Sequence, residues 1–203
     1  MGYGNYKDPF EISPRASLGE SYVVKAGEKL SLTFVVLPGE SRDIDVSVDL
    51  VGEGAEVDIK GLYLCGGDEQ VNFRLLMHHR VPGCVSHQLF NGIAGGRANV
   101  RFDGTIVVAP DAQQTEAYQE NHNILLSEKA HVETTPQLEI YADDVKCSHG
   151  ATIGRLDEDA QFYMRSRGIP EADAKVLQMI SFLSAVTPEN DRERVEKAVL
   201  RLV

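Results

Sequence analysis

The residues best suited to chemistry lie together near the C-terminal third of the chain, in Val145-Lys146-Cys147-Ser148-His149-Gly150-Ala151-Thr152. A thiol, a hydroxyl and an imidazole occupy three consecutive positions. Thiolate and neutral imidazole are the side chains that soft and borderline metals favour. On a strand, Cys147 and His149 point to one face and Ser148 to the other. Two ligands fall short of the roughly four that a closed metal site takes, so the remainder would come from elsewhere, such as another chain. The plainer alternative is a buried, inert Cys147 and a structural or solvated His149.

A second cluster is His78-His79 with His87, flanking the turn Val81-Pro82-Gly83-Cys84. It reads either as a metal cluster or as cross-strand polar residues on a wet face, and no Cys-x-x-Cys pair supports the metal. Gly92-Ile93-Ala94-Gly95-Gly96 lacks the Gly-Lys-Ser/Thr of a phosphate loop and has no helix after it. Asp143-Asp144 reads as a solvated turn. There is no nucleophile elbow.

The elements that must carry these residues follow from pattern. At 203 residues the chain buries one good core. A net charge of -11 argues against a nucleic-acid partner. No apolar run reaches the roughly 18–20 residues of a membrane span, and Met1–Asp8 has no apolar leader core. Three scattered cysteines, Cys65, Cys84 and Cys147, make no disulfide framework, so a reducing cytoplasm is the expected setting.

Residues 1–20 read as a loose lead-in, 21–155 as a β core and 156–203 as a helical subdomain. Leu30–Leu37 is rich in β-branched and aromatic residues, and Ile44–Leu50 alternates strictly, with one face buried and one wet. Ala-x-Val or Ala-x-Ile recurs at Ala55, Ala98, Ala130 and Ala151. The intervals of 43, 32 and 21 are close to four, three and two times a unit of about 10.7 residues, near a strand plus a tight turn. Two units per coil would make a flattened parallel solenoid, with the four alanines at equivalent turns; an antiparallel sandwich has similar strand spacing. After Arg155, Asp157 can cap a helix that Gly168 ends. Val176, Leu177, Ile180, Leu183 and Val186 form an apolar stripe on the next helix. Tyr163-Met164-Arg165-Ser166-Arg167 and this stripe are expected to anchor the helices on the β body.

Six blocks in order over residues 100–183 resemble the SufB/SufD family of iron–sulfur cluster assembly proteins. They are Phe102-Asp103-Gly104-Thr105-Ile106, Ala112-Gln113-Gln114-Thr115-Glu116-Ala117, Asn123-Ile124-Leu125-Leu126-Ser127, Thr135-Pro136-Gln137-Leu138-Glu139-Ile140, Cys147-Ser148-His149-Gly150-Ala151-Thr152 and Phe162-Tyr163-Met164-Arg165-Ser166-Arg167-Gly168-Ile169. The resemblance implies a right-handed parallel β-helix followed by helices. It implies a scaffold rather than an enzyme, holding a transient Fe–S cluster or iron that is absent from the isolated chain.

The partners so implied are a SufC-type ABC ATPase on the C-terminal helices and a SufB-like protein, or a second copy of this chain. Tyr163, Arg165, Arg167, Val176, Ile180 and Leu183 are the residues expected to bind a partner. In the family, the SufB type carries a cluster-holding cysteine; aligned on Lys129 and Pro136, that position is Ala130 here. The SufD type contributes a histidine from its Cys-Ser-His-Gly motif, matching His149, so the chain resembles SufD more than SufB. Cys147 is the second candidate ligand. The SufB type also has a glutamate after its histidine, where this chain has Gly150. Family members carry a helical region before the β core, whereas this sequence begins almost at the core. The competing readings are a β-barrel or jelly-roll metal enzyme using His78, His79 and His87, and a purely structural β-helix.

Overall fold

The computed structural model describes residues 17–39 and 41–203. Ten strands follow one another: β1 (Ser17–Val24), β2 (Lys29–Val36), β3 (Arg42–Leu50), β4 (Glu56–Cys65), β5 (Gln70–His79), β6 (Val85–Ala94), β7 (Asn99–Val108), β8 (Thr115–Leu125), β9 (His131–Ile140) and β10 (Val145–Gly154). Odd strands form one sheet in the order β1-β3-β5-β7-β9, and even strands form the other, β10-β8-β6-β4-β2. Every neighbouring pair is parallel. The described residues therefore wind as a flattened β-solenoid of five two-strand coils, and the antiparallel sandwich is excluded. Most of the expected lead-in, residues 1–16, lies outside the described residues; Ser17–Glu20 belong to β1, where they pair with Asp43–Val46.

The winding has a longer period than the alanine echo gave. Paired residues on successive coils lie 26 to 32 positions apart, from Ser17↔Asp43 to Asn99↔His131. The strands run 8 to 11 residues, not five or six. The better marker is glycine. The first six corners each hold one at positive φ, namely Gly27, Gly39, Gly54, Gly67, Gly83 and Gly96, where a side chain would strain the tight turn. Ala55, Ala98 and Ala130 do share a position, each buried and directly preceding a strand. Ala151 does not: it lies inside β10 and is exposed.

Alternation decides which side chains enter the space between the sheets. On β3, Ile44, Val46, Val48 and Leu50 point inward and the residues between them outward, as the strict pattern predicts. The centre of the core is aromatic. Phe73 of the odd sheet meets Phe90 of the even sheet edge-on at 5.3 Å, and Phe90 meets Phe102 at 5.0 Å. Two glycines make room for these rings. Gly61 pairs with Phe90 and Gly92 with Tyr63 across β4 and β6. A Cβ on Gly61 would come within 2.0 Å of the Phe90 ring, and one on Gly92 within 1.8 Å of the Tyr63 ring.

Helices cover one outer face of the even sheet. They are α1 (Glu158–Ser166), α2 (Glu171–Leu183) and α3 (Arg192–Val199), the last preceded by a short 3-10 turn, Glu189–Asp191. Asp157 caps α1 by accepting from the Ala160 amide at 3.0 Å. Gly168, at φ +88°, ends it with Ile169 N–H donating to the Met164 carbonyl, the six-to-one bond of a Schellman motif. Met179, Leu183 and Val186 pack with Val195 and Val199 on Leu62, Leu64 and Ile93. This is why β4 stays buried from Gly61 to Cys65 without alternation: one face meets the aromatic core and the other meets the helices. Of the expected stripe on α2, Val176, Ile180 and Leu183 anchor the helix, with Val186 just past its end, whereas Leu177 is 49% exposed and the neighbouring Met179 is buried in its stead. The Tyr163–Arg167 segment does not anchor, because α1 has no buried residue and Phe162 and Tyr163 face solvent.

Candidate metal-ligand strand

Cys147 and His149 both lie on β10, the last strand of the even sheet. Register fixes their direction. Cys147 pairs with Ala117 and His149 with Gln119, both of which point into the solenoid. Two residues apart on a strand, they stand about 7 Å apart on the same face. Among the described residues no further coil follows β10, so its inward side lies at the mouth of the solenoid. Cys147 is half-buried, and that burial raises its thiol pKa against the opposing effect of a backbone hydrogen bond at Ala117. A metal binding there must displace the thiol proton. His149 is exposed and forms no hydrogen bond or ion pair among the described residues. Among those residues no group of three or more His, Cys, Asp or Glu is assembled to hold a metal ion.

The mouth is rimmed by unpaired strand edges. Among the described residues, β9 and β10 each have a strand on one side only. Ile140, Tyr141 and Ile153 are exposed along the rim. Ala130 directly precedes β9 in this last coil, buried, with its amide donating to Ser127 Oγ at 3.1 Å.

The histidines of the second cluster, His78, His79 and His87, do not converge. Adjacent on β5, His78 and His79 point to opposite faces. His78 lies outside, 3.6 Å from Asp49. His79 is buried in the core, with Nε2 2.8 Å from Ser86 Oγ, and burial pushes its pKa down to about 4. His87 lies outside the even sheet, stacked on Tyr118 at 5.0 Å. The mononuclear site of the jelly-roll reading is not formed, because strand alternation separates its ligands.

The residues expected to bind a partner divide into two groups. Tyr163, Arg165 and Arg167 are exposed on α1 and just after it, with the Arg167 guanidinium 5.1 Å over the Tyr163 ring and Arg165 3.6 Å from Glu171. Val176 and Ile180 are half-buried on α2. Leu183 is fully buried on the even sheet, so it holds the helix in place and presents nothing to a partner.

A polar row inside the solenoid had no signal in the sequence pattern. Gln88, Gln119, Asn121 and Asn123 are all buried. Gln119 Nε2 donates to Gln88 Oε1 at 3.0 Å. Asn123 Nδ2 donates to Asn121 Oδ1 at 2.7 Å and to the Thr152 carbonyl on β10 at 3.1 Å. The Tyr63 hydroxyl donates to Asn123 Oδ1. The row leads from the middle of the even sheet to the mouth.

Residues 18–182 match the family model described as SUF system FeS cluster assembly, SufBD core domain. The chain is 39% identical over 156 residues to the iron–sulfur cluster assembly protein SufD of Escherichia coli, covering 77% of this chain and 37% of that protein. It is 31% identical over 157 residues to SufD of Bacillus subtilis, covering 77% and 36%. It is 30% identical over 177 residues to a SufBD family protein of Mycobacterium leprae, covering 81% and 45%. The chain thus spans less than half the length of these relatives.

Proposed function

The chain belongs to the SufBD family of iron–sulfur cluster assembly proteins, and from that premise we propose that it is a SufD-like scaffold subunit without catalytic turnover of its own, working in the cytoplasm. One observation carries the reading: His149 and Cys147 share the inward face of the last, half-paired strand, at a mouth where a second subunit can complete their shell. A neutral imidazole nitrogen of His149 binds iron or the nascent cluster as cargo. A SufB-like partner supplies the missing thiolates, since Ala130 stands where that type carries cysteine. Cys147 is the secondary ligand. No helix among the described residues is long and apolar enough to cross a membrane.

The same edges lead to self-association when no partner is present, because uncovered strand edges invite pairing. The isolated chain should form a two-fold dimer by continuing its sheets through β9 and β10. Light scattering at tens of micromolar (roughly the range where weak edge pairing saturates) should give twice the 22.3 kDa chain mass. A monomer there contradicts the edge assignment.

Docking of a SufC-type ATPase falls to the helices, with Tyr163, Arg165 and Arg167 exposed and Val176 and Ile180 at the margin. The test is co-purification with the host's ATPase, comparing wild type with Tyr163→Ala/Arg167→Ala. Because these side chains face solvent, the double variant should keep its melting temperature. It should weaken ATPase binding by about 2 kcal/mol or more, as aromatic and arginine anchors do. Undiminished binding removes α1 from the interface.

A further inference from the structure

Register places His149 at the end of an amide ladder. The inward row of the even sheet reads Gln88 on β6, Gln119 on β8 and His149 on β10, each the direct cross-strand partner of the next. The ladder has a direction, since Gln119 Nε2 donates towards β6, to Gln88 Oε1 at 3.0 Å. Among the described residues that leaves Gln119 Oε1, a carbonyl oxygen, without a partner although Gln119 is fully buried. A buried acceptor left unpaired is destabilising, because it has lost its water without gaining a donor. On its β10 side the facing residue is His149, exposed and without a hydrogen bond of its own. Strands lie about 4.8 Å apart, so side chains on directly paired residues reach one another.

The opposite sheet keeps the amide in position. Gly104 on β7 faces Gln119, and a Cβ there would come within 2.4 Å of Nε2 and 2.8 Å of Oε1. Glycine at this point leaves the volume that the carboxamide occupies. The acceptor is thus held by Gln88 on one side and by the Gly104 backbone on the other, whereas the imidazole is free to turn onto it.

We propose that Gln119 is a positioning residue for His149: its Oε1 accepts from His149 Nδ1–H, fixing the tautomer and ring orientation so that Nε2 faces out of the solenoid mouth as the metal-binding nitrogen. Nδ1 is the ring nitrogen nearer the backbone and hence the buried amide. Nε2 is the one that reaches the rim. Metal-binding histidines are commonly oriented by an acceptor on the other ring nitrogen. Here the acceptor is supplied from within the fold before any metal arrives. The inference rests on His149 being the ligand, but its test does not use cluster assembly.

The test is the tautomer of His149 in the full chain, read above pH 8 from ring ¹⁵N–¹H correlation spectra, with the signal assigned through His149→Ala. Wild type should show Nδ1–H as the main form. Gln119→Leu, which keeps the bulk and removes the acceptor, should move the main form to Nε2–H, the preference of a free imidazole. Gln119→Glu, which keeps an acceptor, should restore Nδ1–H, and Gly104→Ala should shift the balance as Gln119→Leu does by displacing the amide. The same tautomer in wild type and Gln119→Leu, both folded by circular dichroism, overturns the proposal. Unimpaired cluster assembly by His149→Ala would instead remove the ligand reading and leave the tautomer result standing, so the two failures are distinguishable.

Discussion

Phe73→Ala should destabilise the solenoid by about 3–5 kcal/mol, the range for removing a large aromatic side chain from a packed core. Phe73 is fully buried and touches three other rings, at 5.9 Å to Tyr63, 5.3 Å to Phe90 and 6.5 Å to Phe102. These rings come from both sheets, so their contact is what ties one flat face to the other. The sheets cannot collapse onto the gap, because each strand is fixed by its neighbours above and below. For a chain of this size the loss lowers the melting temperature by roughly 10 °C or more. Leu76 is the control, three residues along the same strand but on the outer face and 42% exposed. Leu76→Ala should cost about 0.5 kcal/mol or less. Calorimetry that finds the two variants equally stable would place the core elsewhere.

Acid should weaken the fold through His79. Burial, with a smaller contribution from neighbouring His78, pushes its pKa down to about 4 from an ordinary value of 6.5. The unfolded chain therefore takes up a proton as pH falls through 6.5, and the folded chain resists until about pH 4. Below 6.5 the unfolded state binds more protons, so stability falls as pH falls. This group's contribution is fully present above pH 6.5 and is lost progressively down to about pH 4, some 3 kcal/mol in all. Denaturant midpoints measured between pH 7 and 4 should show this slope in wild type. His79→Gln, which still reaches Ser86 but does not titrate, should show a much flatter profile. Identical slopes would mean that other groups account for the acid sensitivity.

What the sequence revealed follows from which residues obey a two-letter pattern. β3 was legible because Ile44, Val46, Val48 and Leu50 alternate with Asp45, Ser47 and Asp49. The α2 stripe was legible for the same reason at helical spacing. β8 was not. Its inward residues are Thr115, Ala117, Gln119, Asn121 and Asn123, and its outward ones include Tyr118 and Ile124. Buried amides and an outward, half-buried tyrosine hide the phase, leaving only Ile124-Leu125-Leu126 as a visible apolar run. The alanine echo gives too short a coil, whereas the corner glycines from Gly27 to Gly96, 12 to 16 residues apart, carry the period.

At the candidate site, the shared face of Cys147 and His149 could be read from their spacing alone. That this face opens at the end of the solenoid could not, because it depends on β10 being the last strand to pair. Nor could the link to Gln119, which lies 30 residues away and becomes a neighbour only through the register of one coil. The dispersal of His78, His79 and His87 is the converse lesson. Proximity in sequence suggested a cluster, and strand alternation separates it.

The most direct test of the account is cluster formation in a mixture of this chain, a SufB-like partner and a SufC-type ATPase, followed by visible absorbance. Wild type, His149→Ala and Cys147→Ala should be compared at matched melting temperature. His149→Ala should fall to the level of the mixture lacking this chain, while Cys147→Ala should keep most of the signal. Full cluster formation by the His149→Ala mixture would contradict this expectation and leave His149 as a solvated residue at the end of a β-solenoid.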